Sequence, residues 1–196
     1  GAADWHTLDF DDDGFDDLVL SGFSTSEVLY GDGAGGFARW QQLPESTFRA
    51  QVWTDLDDDG DLDGVGIAGA VGVQISQNEG GGLFTSIAVP GSAGPQSGEV
   101  AAADLDGDGR EEIVSTGVGE VLVIARDANG RFAVVERHSV PAPVAIDVAD
   151  LDEDGRTDVL AIGIGGAFVL RNASGSPVGL VAYGTGTPTC RGAIGT

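Results

Sequence analysis

The 196 residues carry 32 acidic side chains against 9 arginines and no lysine, a formal charge of -23, with 33 glycines and no methionine. An apolar content of 41% is enough to build a core, so composition excludes wholesale disorder. It also excludes a nucleic-acid partner, since the arginines do not cluster into a basic surface, and membrane insertion, since glycine and charge interrupt every apolar run short of the ~20 residues of a spanning helix.

Without methionine, the start at Gly1-Ala2-Ala3 is expected to be a processed end, such as a removed secretory signal leaves, which places the chain outside the cell or on its surface. The first unit, about residues 3–45, opens on Asp9-Phe-Asp-Asp-Asp-Gly-Phe-Asp-Asp17 and continues through the short runs Leu18-Val-Leu20, Val28-Leu-Tyr30 and Phe37-Ala-Arg-Trp40. The second, about 46–92, carries Asp55-Leu-Asp-Asp-Asp-Gly-Asp-Leu-Asp63, then Val65-Gly-Ile67, Val71-Gly-Val-Gln-Ile75 and Leu83-Phe-Thr-Ser-Ile87. In the third, about 93–140, an alternating run Val100-Ala-Ala-Ala103 leads into Asp104-Leu-Asp-Gly-Asp-Gly-Arg-Glu-Glu112; Ile113-Val114, Val121-Leu-Val-Ile124 and Phe132-Ala-Val-Val135 follow. The fourth, about 141–183, has Val144-Ala-Ile-Asp-Val-Ala149, Asp150-Leu-Asp-Glu-Asp-Gly-Arg-Thr-Asp158, Val159-Leu-Ala-Ile162, Phe168-Val-Leu170 and a weaker Val178-Gly-Leu-Val181. A Gly/Thr-rich tail, 184–196, holds the single cysteine, Cys190. An intrachain disulfide is therefore excluded, and a free tail thiol or a bond to a cysteine elsewhere is expected.

The acidic segments begin 46, 49 and 46 residues apart. Around them the runs are β-branched or aromatic with period 2, and glycine-rich turns such as 31–36 and Asn129-Gly130 separate them. Four strands in each of four units predict an all-β fold, a β-propeller of four four-stranded blades in a single domain, residues 1–183, with the acidic loop between the first two strands of each blade. Four blades can close a ring by themselves; a piece of a larger ring and an open stack of sheets are the alternatives.

The four segments hold 22 of the 32 acids. Like charges this close favour the unfolded chain unless cations neutralise them. A cation of calcium's size takes six to eight oxygens at roughly 2.3–2.6 Å, and carboxylates at alternate positions of a tight loop converge on one point. Positions 1, 3 and 5 supply Asp9, Asp11 and Asp13; Asp55, Asp57 and Asp59; Asp104, Asp106 and Asp108; and Asp150, Asp152 and Asp154. Position 6 is glycine in all four (Gly14, Gly60, Gly109, Gly155), where the chain turns sharply. The carbonyls of Phe15, Asp61, Arg110 and Arg156 at position 7 and the acids Asp17, Asp63, Glu112 and Asp158 at position 9 complete the expected ligand sets. Position 12, where an EF-hand carries its bidentate Glu, is Leu20, Gly66, Ser115 and Ala161, so a helix-loop-helix sensor is excluded. Zinc would want His or Cys, which these loops lack, and magnesium demands a stiffer octahedron. About four Ca²⁺ are expected.

With these loops and Val28-Leu-Tyr-Gly-Asp-Gly-Ala-Gly-Gly-Phe37, the chain resembles the FG-GAP/VCBS repeat family, the β-propeller units of integrin heads and of many secreted bacterial proteins. The resemblance runs through nearly all of residues 3–183 and departs from the pattern in the later units, with Gln77-Asn-Glu-Gly-Gly-Gly-Leu-Phe84 in the second, Asp127-Ala-Asn-Gly-Arg-Phe132 in the third and Asn172-Ala-Ser-Gly-Ser-Pro177 in the fourth, which lacks the phenylalanine and puts the outer strand in doubt. It implies an extracellular scaffold for adhesion, ligand binding or assembly.

Catalytic chemistry finds little support. His6 and His138 fall in different units, and the abundant carboxylates are committed to the loops. Trp5, Trp40 and Trp53 are expected to pack between blades, and Asn172-Ala-Ser174 fits a glycosylation sequon only weakly. The expectation is a secreted, calcium-stabilised, non-catalytic structural or assembly protein, a homo-oligomer or polymer. An integrin-like or lectin-like propeller that binds a glycan or protein is the alternative.

Overall fold

Short period-2 runs joined by tight turns pair best with their immediate neighbours, and all four repeats do so. The computed structural model describes residues 4–21, 25–43, 51–80, 83–93, 98–173 and 180–184, so the tail from 185 and Cys190 lie outside the described residues. Sheet 1 comprises β1 (Asp4–Leu8), β2 (Asp17–Ser21), β3 (Ser26–Gly31) and β4 (Phe37–Gln42). Sheet 2 comprises β5 (Gln51–Thr54), β6 (Asp63–Ile67), β7 (Val73–Asn78) and β8 (Phe84–Ala88). Sheet 3 comprises β9 (Val100–Ala103), β10 (Glu112–Thr116), β11 (Glu120–Arg126) and β12 (Phe132–Ser139). Sheet 4 comprises β13 (Ala145–Ala149), β14 (Asp158–Gly163), β15 (Gly166–Asn172) and β16 (Leu180–Gly184). Each is antiparallel with its strands in chain order. The doubtful outer strand of the fourth unit exists, but later than the run at 178–181 suggested: Leu180 pairs with Asn172 and Gly184 with Phe168.

In an antiparallel pair, directly opposed residues share a face, so the two central strands of each sheet present one apolar pair forward and one backward. Val19↔Val28, Val65↔Ile75 and Val114↔Val123 are wholly buried and face the next sheet along the chain. Ile113↔Ile124 and Val159↔Leu170, also wholly buried, face the preceding one. Sheet 2 departs from this rule. Its backward pair is Gly64↔Ser76, and the Trp53 ring lies 3.0 Å from where a Gly64 Cβ would stand, so the indole occupies the space that an aliphatic pair fills elsewhere.

Three apolar seams result. Phe10, Val19, Val28, Tyr30 and Leu43 meet Trp53 and Phe84 between sheets 1 and 2, with Phe10 edge-on to Trp53 at 5.3 Å. Val65, Ile67, Val73 and Ile75 meet Ile113, Ile124 and Phe132 between sheets 2 and 3. Leu105, Val114, Val121 and Val123 meet Val159, Ala161 and Leu170 between sheets 3 and 4. Among the described residues no apolar cluster joins sheet 4 to sheet 1, and the three seams link the sheets in chain order. The expectation for the tryptophans holds for Trp53 alone. Trp5 and Trp40 are 63% and 64% exposed, because they stand on the face of sheet 1 that points away from sheet 2.

Candidate metal centres

All four acidic segments form the loop that joins the first two strands of their sheet, and the closing acid at position 9 is the first residue of the second strand. Inside the loop, the position-1 carboxylate turns the chain by collecting amides. Asp9, Asp55, Asp104 and Asp150 accept the N–H of Gly14, Gly60, Gly109 and Gly155 at 2.9, 3.0, 3.0 and 2.8 Å. The position-5 carboxylates Asp13, Asp59, Asp108 and Asp154 accept the position-7 amides of Phe15, Asp61, Arg110 and Arg156 at 2.9, 2.9, 2.9 and 3.0 Å.

Two residues per loop are left-handed. The glycines at position 6 have φ between 85° and 94°, as their conservation of type across the four loops requires. Position 4 also has positive φ, at Asp12 (56°), Asp58 (63°), Gly107 (78°) and Glu153 (61°). Three of these carry side chains in a conformation that favours glycine.

The closing acids are buried: Asp17, Asp63, Glu112 and Asp158 are at most 5% exposed. Each takes the amide of loop position 2, from Phe10, Leu56, Leu105 and Leu151, at 2.8, 3.1, 2.9 and 3.1 Å. In three sheets the second oxygen takes the amide of the last residue of the third strand: Gly31 to Asp17 at 2.7 Å, Asn78 to Asp63 at 2.7 Å, Asn172 to Asp158 at 2.8 Å. Burial pushes the Asp63 and Glu112 carboxyls up to about 7, against the opposing pull of these amides and with help from neighbouring loop carboxylates.

Carboxylate oxygens converge to within 4.8 Å of one another in Asp9, Asp11 and Asp13; Asp55, Asp57 and Asp59; Asp104, Asp106 and Asp108; and Asp150, Asp152 and Asp158. Positions 1, 3 and 5 thus meet in three loops. In the fourth, the closing Asp158 takes the place of Asp154, which pairs with Arg156. At position 3, the Oδ1 atoms of Asp57 and Asp152 are buried without a hydrogen-bond partner. Burial, with the Asp13 and Asp59 charges beside them, raises the Asp11 and Asp57 carboxyls above the ordinary range. An all-oxygen cluster with orphaned, desolvated carboxylate atoms is the donor set a hard cation fits.

Arginines already partly neutralise these loops. Arg39 pairs with Asp11, and Arg171 with Asp152 at 2.8 Å. Arg110 reaches from the third loop to Asp58 of the second at 2.9 Å, and Arg126 donates to the Asp57 carbonyl at 3.2 Å. Neither Arg39, Arg126 and Arg171, nor the charge of Arg110, nor the position-2 amides, was read as part of the site from the sequence. The repeated apolar residue at position 2 and the Asn that recurs at Asn78 and Asn172 were the available signals. The sequon reading is corrected. Asn172 is 1% exposed and its Nδ2 donates to the carbonyls of Leu105 and Thr157, so it is closed to glycosylation.

The FG-GAP-like repeat model matches at residues 55–115 and 104–161, two overlapping stretches that together span more than half of the chain. No curated protein sequence matches. Among solved structures, an Agrocybe aegerita lectin, described for specific recognition of non-reducing terminal N-acetylglucosamine, is similar at 24% identity and a TM-score of 0.66, over 92% of this chain and 51% of its own. BBS1N, solved in complex with ARL6DN, is similar at 16% identity and a TM-score of 0.61, over 92% of this chain and 58% of its own. At such identities the likeness shows the fold alone, which is propeller-like. The chain spans little more than half the length of either protein.

Two predictions separate the roles within a loop. Asp63→Ala strands the buried amides of Leu56 and Asn78, at about 1–3 kcal/mol each, and is expected to lower the urea midpoint with or without divalent cation. Asp59→Ala, whose partner amide is exposed, is expected to cost little in chelator and to remove that loop's cation-dependent gain. The second concerns pH. Unfolded carboxylates titrate near 4, whereas folded Asp63 and Glu112 hold their protons to about 7. The folded state therefore binds more protons between these limits, and stability in chelator is expected to fall as pH rises from about 4 to about 7. A urea midpoint that rises across this range in EDTA would contradict the burial assigned to these two acids.

Proposed function

The chain belongs to the FG-GAP-like repeat family, and from that premise we propose that it is a calcium-stabilised, non-catalytic propeller module that works outside the cell by presenting rigid surfaces for structure and assembly. The observation that carries this reading is the convergence of carboxylates at the same place in all four sheets, between the first strand and the second. Positions 1, 3 and 5 would hold the ion in the first three loops and Asp150, Asp152 and Asp158 in the fourth, with the position-7 carbonyls of Phe15, Asp61, Arg110 and Arg156 and the remaining acids Asp17, Asp63, Glu112 and Asp154 as the completing donors. A dication there supplies charge that the arginines cannot match and ties the two strands that flank each loop. FG-GAP repeats are typical of extracellular proteins, which supports the location, and no helix among the described residues is long and apolar enough to cross a membrane.

The non-catalytic reading draws support from the disposition of titratable groups. His6 lies in sheet 1 and His138 in sheet 3, where His138 Nε2 meets Glu136 at 2.7 Å, and the acids that burial raises, Asp11, Asp57, Asp63 and Glu112, all belong to the acidic loops.

A second reading, ligand binding, has a specific observation behind it. A cleft of about 520 Å³ opens where sheets 1 and 2 meet, bordered by Asp11, Tyr30, Arg39, Gln41, Asp61 and Asn78. The Arg39 guanidinium lies 3.6 Å over the Tyr30 ring, and Tyr30 Oη donates to Gln41 Oε1 at 3.0 Å. The guanidinium held over this ring, with amide and carboxylate groups around it, suits the hydroxyls of a sugar. The lectin that shares this fold is described for recognition of non-reducing terminal N-acetylglucosamine, which is the class of ligand such a cleft would take.

Calcium titration in a calorimeter and thermal melting in calcium against EDTA test the first reading. Each site held at a hundred times its Kd contributes about 2.7 kcal/mol, so a large loss of Tm in EDTA, restored by calcium and poorly by magnesium, is expected. A melting curve indifferent to chelation contradicts it. For the second reading, a glycan array is expected to return a saturable ligand that Arg39→Ala loses; a blank array leaves the cleft without that role.

A further inference from the structure

The two ends of the row carry the same apolar pairs that make the internal seams. Forward-facing Val19↔Val28, Val65↔Ile75 and Val114↔Val123 are wholly buried by the next sheet, but their equivalent in sheet 4, Leu160↔Val169, is partly exposed. Backward-facing Ile113↔Ile124 and Val159↔Leu170 are wholly buried, but their equivalent in sheet 1, Leu18↔Leu29, is partly exposed. Loop position 2 repeats the pattern: Phe10, Leu56 and Leu105 are 6%, 2% and 1% exposed in their seams, whereas Leu151 is 44% exposed. Trp40 and Ile162 extend the two uncovered faces, at 64% and 47% exposed. Neither face has the alternating polar pattern of a sheet surface built for water.

We propose that these faces are the two halves of one further seam, made between two copies of the chain: the Leu160/Val169 face of sheet 4 in one copy packs on the Leu18/Leu29 face of sheet 1 in another. The seams within the chain show the geometry, since each joins a forward pair to a backward element, and both unmatched halves are present on the same molecule. The contact is heterologous. Two copies that make it twice close a ring of eight sheets, and copies whose rotation does not close build an open array. The fold comparison agrees in scale, since the chain overlays about half of longer propeller-like proteins. The inference rests on reading the sheets as consecutive propeller blades, and it names the surface through which assembly occurs. The chain carries a formal charge of -23, so copies repel one another and association strengthens with calcium; on the faces themselves Glu27 stands on sheet 1, and Asp147 and Arg171 on sheet 4.

Sedimentation or light scattering of the purified chain in calcium tests this. Dimers or larger species are expected for the native sequence and monomers for Leu29→Arg and for Val169→Arg alone. An equimolar mixture of the two variants is expected to recover heterodimers, because the mixture holds one intact sheet 4 face and one intact sheet 1 face. Circular dichroism checks the fold of each variant. If either fails to fold, Trp40→Arg and Ile162→Arg, at more exposed positions of the same faces, replace them. A native chain that stays monomeric at high concentration in calcium overturns the proposal, whether its ends cover each other or another partner covers them. Association without rescue in the mixture overturns the head-to-tail arrangement. Calcium binding measured on the same samples stands apart from both results, so a monomer that still binds calcium refutes the seam and leaves the loops as described.

Discussion

A buried carboxylate at the start of the second strand organises each sheet. It takes the amide of the loop's second residue, and in three sheets also the amide that ends the third strand. A carboxylate can satisfy both without moving because its two oxygens offer about four lone-pair directions. The acidic loop is thereby held against the sheet from below, and its remaining carboxylates are forced toward one another. Burial of that acid is unfavourable while it is charged, and the raised titration of Asp63 and Glu112 reflects the tension. Metal, protons and arginine are three ways to relieve the same excess of negative charge.

The other constraint is apolar. A four-stranded sheet has two faces and, outside sheet 2, the chain supplies an aliphatic pair for each, so a sheet with two neighbours buries more apolar surface than a sheet with one. The internal sheets satisfy both faces. Where the pattern is broken, at Gly64↔Ser76, an indole fills the gap and Phe10, Tyr30 and Phe84 gather around it. That aromatic seam borders the cleft of Arg39 and Tyr30. A difference in packing thus accompanies the cleft at the junction of sheets 1 and 2.

Much of this was legible in the sequence because it is local. The 46–49 residue spacing of Asp9, Asp55, Asp104 and Asp150, the period-2 runs and the glycine at position 6 each follow from a few adjacent residues, and strand order follows from short turns. The site was only partly legible. Loop positions 1, 3 and 5 meet as the spacing implies in three loops, yet in the fourth Asp158 and not Asp154 joins the group, since Arg156 draws Asp154 aside. Nothing in the spacing tells a ligand from a carboxylate that caps a buried amide. The left-handed Asp12, Asp58 and Glu153 were equally invisible, because their residue type tolerates many other conformations.

The amino-acid sequence by itself determined the repeat, the sheet content and the identity of the acids, since periodicity and spacing act within a dozen residues. Tertiary structure alone decided which acids are buried, that Asn172 is sealed beneath a neighbouring sheet, and which apolar pairs remain uncovered at Leu18↔Leu29 and Leu160↔Val169. Those outcomes depend on residues far apart in the chain meeting across a seam, and a repeat that looks the same in every unit cannot announce which of its copies will stand at the end.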